Sequence, residues 1–322
     1  MSIFLTPQLV EPVAGGLLGG ITVDAGPTDE QLAVLQAVVA HLWKRPDIEV
    51  GQLTPIGPDA LAATVEDPRI RRFLTGMLMT LEVCRHPETQ TQVARIEEYA
   101  GAMGIAGEPL GVIRTWMRDG AEQANADHHR FQQENSAELE EPAFLNRTRK
   151  PDNLDPELAE RLVKLADLPK GTLGRTLMTY YERFGLAIPG TQFSPSFVDA
   201  IFVSHDFTHA ISGYAPTGQG EIALGAMEFA MNDSEGTWAR FLSSLAIHEA
   251  GMSRLPTFEA KEATLTRPGA ADLVGEAFDR GNRCTSDFAR IDHMAMAEWP
   301  LAEVRAHFGV VPLSGYDWTL DE

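Results

Sequence analysis

The sequence is short of cysteine, of basic charge and of long apolar runs, and each shortage excludes something. Its two cysteines, Cys84 and Cys284, are far apart and show no CxxC spacing. They read as reduced thiols of a cytoplasmic protein rather than a disulfide framework. Lys and Arg number 26 against 46 Asp and Glu, a formal charge of -20. A chain so acidic lacks the basic faces that phosphate-backbone binding or docking on anionic lipid requires. No stretch approaches the roughly 18 apolar residues of a bilayer-spanning helix. The opening MSIFLTPQLVEP has neither the basic start nor the apolar core of a signal peptide. Also lacking are a P-loop, a GxGxxG turn and a GxSxG elbow. The expectation is an acidic protein of the cytoplasm, with no nucleic-acid partner and no membrane span.

What is present is ordinary globular material, 44% hydrophobic and 22% charged over 322 residues, enough for two domains. Helical punctuation recurs and strand signals are nearly absent, so the fold class expected is all-α. Thr28-Asp29-Glu30-Gln31 has the form of a capping box, ahead of Leu32, Leu35, Val38, Val39 and Leu42 on one face. Asp67-Pro68 reads as a cap with proline at the first helical position, and Ile70 to Leu81 repeats at three and four. Pro87 is read as reopening a helix that ends at Gly104, and Leu110 to about Phe131 as one more.

From Gln132 to Asn153 charge rises and apolar periodicity fails, which reads as a linker or exposed crossover. The division expected is a helical domain over 1–131, a linker over 132–153 and a second helical domain over 154–322. Asp155-Pro156 restarts the helices. Further ones are read at about 172–184, 195–212, 219–231, 236–250, 270–280 and 300–308.

One constellation stands out. In FVSHDFTHAISGY, His205 and His209 are at i and i+4, one turn apart on one helical face. Asp206 is three residues before His209, and Glu221 opens the next helix after a Gly/Pro turn. Two imidazoles and two carboxylates are donors that zinc, iron or manganese would accept. An i,i+4 histidine pair also occurs by chance as core packing, and a site that only binds is the plainer alternative. Large apolar residues nearby, among them Leu224, Met227, Phe229, Trp238 and Phe241, would line a tunnel or simply pack. His248-Glu249 is not a zincin motif, because Met252 stands at the fourth position after His248.

The pattern HDFTHAISGYAPTGQGE resembles the signature of the Coq4 family of ubiquinone-biosynthesis proteins. LPKGTLGRTLMTYYERFGLAIPG (168–190), AFDRGNRC (277–284) and EWPLAEVRAHFGV (298–310) resemble neighbouring segments of that family, in its order. The likeness covers about residues 153–310. It implies an α-helical fold in which His205, Asp206, His209 and Glu221 bind a divalent metal, most often zinc, with iron or manganese as alternatives. It implies an apolar cavity for a prenylated or aromatic quinone precursor. The implied activity is loss of the ring carboxyl with oxidation at that carbon, with Glu221 or Asp206 moving a proton if one of them does not bind the ion. Peripheral contact with the inner membrane, partners in a biosynthetic complex and a homodimer are further expectations. The alternative is a non-catalytic lipid- or partner-binding scaffold with a structural metal. An HD-type phosphohydrolase would rest on His205-Asp206 alone, and the spacing to Glu221 is not its pattern. In the first half, residues 24–43 and 86–105 loosely resemble the TerB-like helical domain. The second copy has His86-Pro87 where an acidic Asp-Gly belongs, and a plain interaction domain is the reading there.

Overall fold

The computed structural model describes residues 3–105, 111, 141–144, 154–191, 196–232, 234–251 and 263–321. Among them are twelve α-helices and no strand, so the protein is all-α. No helix of the described residues is long and apolar enough to cross a membrane. The chain forms two compact units, residues 1–131 with 218–282, and residues 132–217 with 283–322. The first cut falls at the start of the expected linker. Residues 218–282, by contrast, cluster with the N-terminal segment rather than with 154–217.

The first unit begins with α1 (Pro7–Ile21), a helix that sequence reading did not anticipate. Its four glycines, GGLLGG, look like breakers, yet each lies where a Cβ would crowd a neighbour. A Cβ on Gly19 would stand 2.3 Å from the carbonyl oxygen of Ile56 and from the Tyr99 hydroxyl. In α2 (Asp29–Ala37) the capping box is complete: the Thr28 hydroxyl accepts from Gln31 N, and Gln31 Oε1 accepts from Thr28 N. A short π-helical turn, Val38–Leu42, continues it. A second unanticipated helix, α3 (Pro58–Thr64), precedes α4 (Pro68–Val83), which Asp67 caps as expected. α5 (Gln90–Ala102) starts three residues later than Pro87 suggested, because the Thr89 hydroxyl, accepting from Gln92 N, is the N-cap. The helix read over Leu110 to Phe131 lies almost wholly outside the described residues.

The reason that 218–282 joins this unit is aromatic. Phe229 of α9 (Gly218–Met231) stacks on Phe73 of α4 with centroids 5.9 Å apart. Phe241 of α10 (Glu235–His248) stacks on Phe229 at 5.4 Å, and Phe278 of α11 (Ala270–Arg283) meets Phe73 edge-on at 5.2 Å. All four rings are buried. Residues that could have lined a tunnel, Phe229 and Phe241 among them, are packing rings here. Arg240 and Glu228 add a buried ion pair at 3.0 Å between α9 and α10.

The second unit holds α6 (Pro156–Val163), α7 (Leu173–Phe184), α8 (Ser196–Ser212) and α12 (Leu301–Phe308). Leu173 N donates to Trp299 O at 2.9 Å and Gly174 N to Ala297 O at 2.8 Å. Two segments that share family likeness, LPKGTLG and EWPLAEVR, are thereby stitched side by side. Trp318 is fully buried against Tyr180 and Phe184. Glu141 and Phe144, read as part of an exposed crossover, are buried instead, with Glu141 held by His293. A charged stretch need not be exposed when its carboxylate has a buried partner.

Candidate metal centre

α8 carries the histidine pair. Val203, Phe207, Ala210 and Ile211 are buried and hold that helix in its unit. His205 and His209 face the same way, as their spacing requires, with Nε2 atoms 3.2 Å apart. Their rings are nearly perpendicular.

The chain turns sharply after Ser212 at Gly213, φ +83°. That turn brings the carbonyl of Tyr214 back to His209, whose Nδ1–H donates to it at 2.8 Å. A carbonyl only accepts, so Nδ1 carries the proton and the Nε2 lone pair points toward His205. Such a backbone contact is the usual way in which a ligating histidine has its tautomer and ring plane set. Tyr180 stacks on the His209 ring at 5.3 Å. Metal–nitrogen bonds of about 2.0–2.1 Å at a tetrahedral angle put two nitrogens about 3.3 Å apart, close to the separation seen.

Asp206 is buried, and its Oδ2 accepts from the Tyr181 hydroxyl at 2.9 Å. Burial first, and then the Asp206 charge, push the Tyr181 hydroxyl well above the ordinary tyrosine range, so it stays a proton donor. Glu221 stands in the first turn of α9, buried, with eleven residues between it and His209 in the chain. It belongs to the first unit.

Three supporting groups escaped sequence reasoning. The Tyr214 carbonyl has no side-chain signature. Tyr181 lies inside a segment noted only for family likeness. Arg305, from the PLAEVR segment, donates through Nε to Ile211 O at 2.8 Å and through Nη2 to Ala210 O at 3.3 Å. It thereby satisfies the orphan carbonyls that end the histidine helix. Its Nη1 lies 2.9 Å from the Asp317 carboxylate.

Against this geometry stand the sequence relatives. The chain is 39% identical over 74 residues to the mitochondrial ubiquinone biosynthesis protein COQ4 of Coccidioides immitis. It is 37% identical over 78 residues to its counterpart in Pyricularia oryzae, and 32% over 104 residues to that of Aspergillus niger. The chain resembles the Coq4 family. The three alignments cover 20%, 21% and 30% of this chain and 26%, 26% and 36% of those relatives. No family model matches the chain. A solved chain from Nostoc punctiforme, with a suggested role in ubiquinone biosynthesis, superposes with TM-score 0.34 at 14% identity. That superposition covers 74% of this chain and 98% of the other, a likeness too slight to carry an argument.

Proposed function

We propose that this Coq4-like protein serves ubiquinone biosynthesis through a divalent metal, most often zinc, held by His205, His209, Glu221 and Asp206. The observation that supports it is the His209 imidazole, with Nδ1–H bonded to Tyr214 O and Nε2 3.2 Å from the Nε2 of His205. Two nitrogens with carboxylates suit Zn²⁺, and also Fe²⁺ or Mn²⁺. A bound divalent ion supplies Lewis acidity toward a ring carboxylate or phenolate, stabilising the negative charge that develops as carbon dioxide leaves.

The chain's own residues then do three things. Tyr214 and Tyr180 hold the His209 ring. Tyr181 fixes one oxygen of Asp206. Glu221, if it does not bind the ion, moves a proton at the reacting ring. The substrate in this reading is a hydrophobic aromatic ring, prenylated or not. Its product has lost the ring carboxyl and carries a hydroxyl at that carbon, with dioxygen as the two-electron oxidant.

The test is metal analysis of purified protein beside product analysis with a carboxylated aromatic quinone precursor under air. His205→Ala and His209→Ala should each lose the metal and the product. Purified wild type without metal, or variants as active as wild type, would sink the reading. A second reading keeps the metal but makes it a staple in a non-catalytic scaffold. It is favoured by the engagement of Asp206 with Tyr181. There Glu221→Gln lowers the melting temperature and leaves the product profile alone.

A further inference from the structure

A second set of metal-capable groups lies within the first unit, built from residues that the histidine motif does not use. Glu30 comes from the first turn of α2, Cys84 from the end of α4 and Glu249 from the end of α10. A carboxylate oxygen of Glu30, the Sγ of Cys84 and a carboxylate oxygen of Glu249 all lie within 4.8 Å of one another, and all three side chains are buried. Cys84 and Glu249 are completely so. Bonds of about 2.0–2.3 Å to a common ion would draw these three atoms closer together.

Glu249 is already oriented. Its Oε2 accepts from Leu265 N at 2.9 Å and its Oε1 lies 2.9 Å from His86 Nε2. Glu30 meets Glu249 and the Thr266 backbone, yet its Oε1 is buried with no hydrogen-bond partner among the described residues. His86 Nε2 stands 3.7 Å from the other Glu30 oxygen. Ionised together, two carboxylates in contact and a thiolate require a counter-charge. A divalent cation supplies it and displaces the thiol proton.

We propose that Glu30, Cys84 and Glu249 form a second divalent-metal site, of the mixed sulfur-and-oxygen kind that zinc occupies. His86 is its hydrogen-bonding neighbour, holding Glu249 as carboxylate ligands are commonly held. At one-third side-chain exposure, His86 is also the site's edge toward solvent. The site joins α2, α4 and α10, so the metal ties the N-terminal segment to residues 218–282 of the same unit. This inference does not depend on the histidine pair.

The experiment uses the full chain, stripped by a chelator and reloaded with cobalt(II). Expected is a near-ultraviolet sulfur-to-cobalt charge-transfer band, which a site of nitrogen and oxygen ligands cannot produce. The band should vanish in Cys84→Ser and persist in His205→Ala, and Glu249→Gln should bind about one equivalent less metal per chain. Cobalt-loaded wild type without the band overturns the proposal, and needs no variant to fold. A band that survives Cys84→Ser overturns it too, since the sulfur would then be that of Cys284. Metal lost in His205→Ala, from a chain that never shows the sulfur band, refutes this site and leaves the histidine site standing.

Discussion

His209 donates its Nδ1 proton to the carbonyl oxygen of Tyr214 across a five-residue turn, 2.8 Å away. One bond therefore decides which nitrogen of the ring can face His205. The turn that makes the bond depends on Gly213, whose φ of +83° suits glycine and strains any other residue. A Cβ there would also stand 2.6 Å from the Asp317 carboxylate. We expect Gly213→Ala to cost about 2–3 kcal/mol of stability, combining backbone strain with that clash. Metal affinity should fall in step, by about 10–100-fold, because the bond orienting His209 is displaced. Thermal unfolding and a metal titration check the two arms. A variant with wild-type melting and affinity would show that the turn does not govern the ring.

Tyr181→Phe removes the hydroxyl that donates to Asp206 Oδ2. Both residues are buried, so a carboxylate oxygen loses a donor that water does not easily replace. The expected cost is about 1–3 kcal/mol in chemical denaturation. If Asp206 serves the metal, affinity drops as well; unchanged affinity with lowered stability would make Tyr181 a purely structural partner.

Arg305 and Asp317 give a pH prediction. Burial alone would raise the Asp317 carboxyl. The Thr319 hydroxyl and the Arg305 guanidinium outweigh it and hold the group below the ordinary carboxylate range. A carboxyl with a depressed folded value stabilises the native state above its unfolded value of about 3.9. That stability is lost as pH falls through the lower folded value. Wild type should therefore lose stability on acidification below about pH 4, and Arg305→Ala should lose less over that range. At neutral pH Arg305→Ala should be about 2–4 kcal/mol less stable, since Asp317 and the last carbonyls of the histidine helix lose their donor. Urea midpoints from pH 7 down to 2.5 test both statements, and parallel acid curves would refute the first.

Glu141 and His293 are both wholly buried, with Glu141 Oε2 2.6 Å from His293 Nδ1. The other ring nitrogen lies 2.9 Å from Phe288 O, and Phe207 stacks on the ring at 5.0 Å. Breaking one partner of such a pair leaves the other stranded. Glu141→Gln and His293→Gln should each cost about 3–5 kcal/mol, and the double variant much less than their sum. Additive costs in a double-mutant cycle would mean that the pair is not coupled.

Much of this was legible in the amino-acid order. Caps at Thr28, Asp67 and Asp155 are local chemistry, and each starts a helix where its side chain says it should. The i,i+4 spacing of His205 and His209 could only put both rings on one face of α8. Where reading failed, a distant neighbour was the cause. Gly15, Gly16, Gly19 and Gly20 look helix-breaking until Ile56, Leu61, Leu78 and Tyr99 fill the space that side chains would occupy. Glu141 looks solvated until His293, 152 positions on, meets it.

Local propensity and periodicity therefore determined the all-α class, most helix starts and the histidine pair, because those depend on residues within a turn or two. Tertiary structure decided the rest. It joined residues 218–282 to the N-terminal segment through Phe73, Phe229, Phe241 and Phe278, and set the His209 tautomer through a backbone carbonyl. It also gathered Glu30, Cys84 and Glu249 from three separate helices. Burial and hydrogen-bond partnering are properties of neighbours in space, and a linear order states those only where the neighbours are also close in the chain.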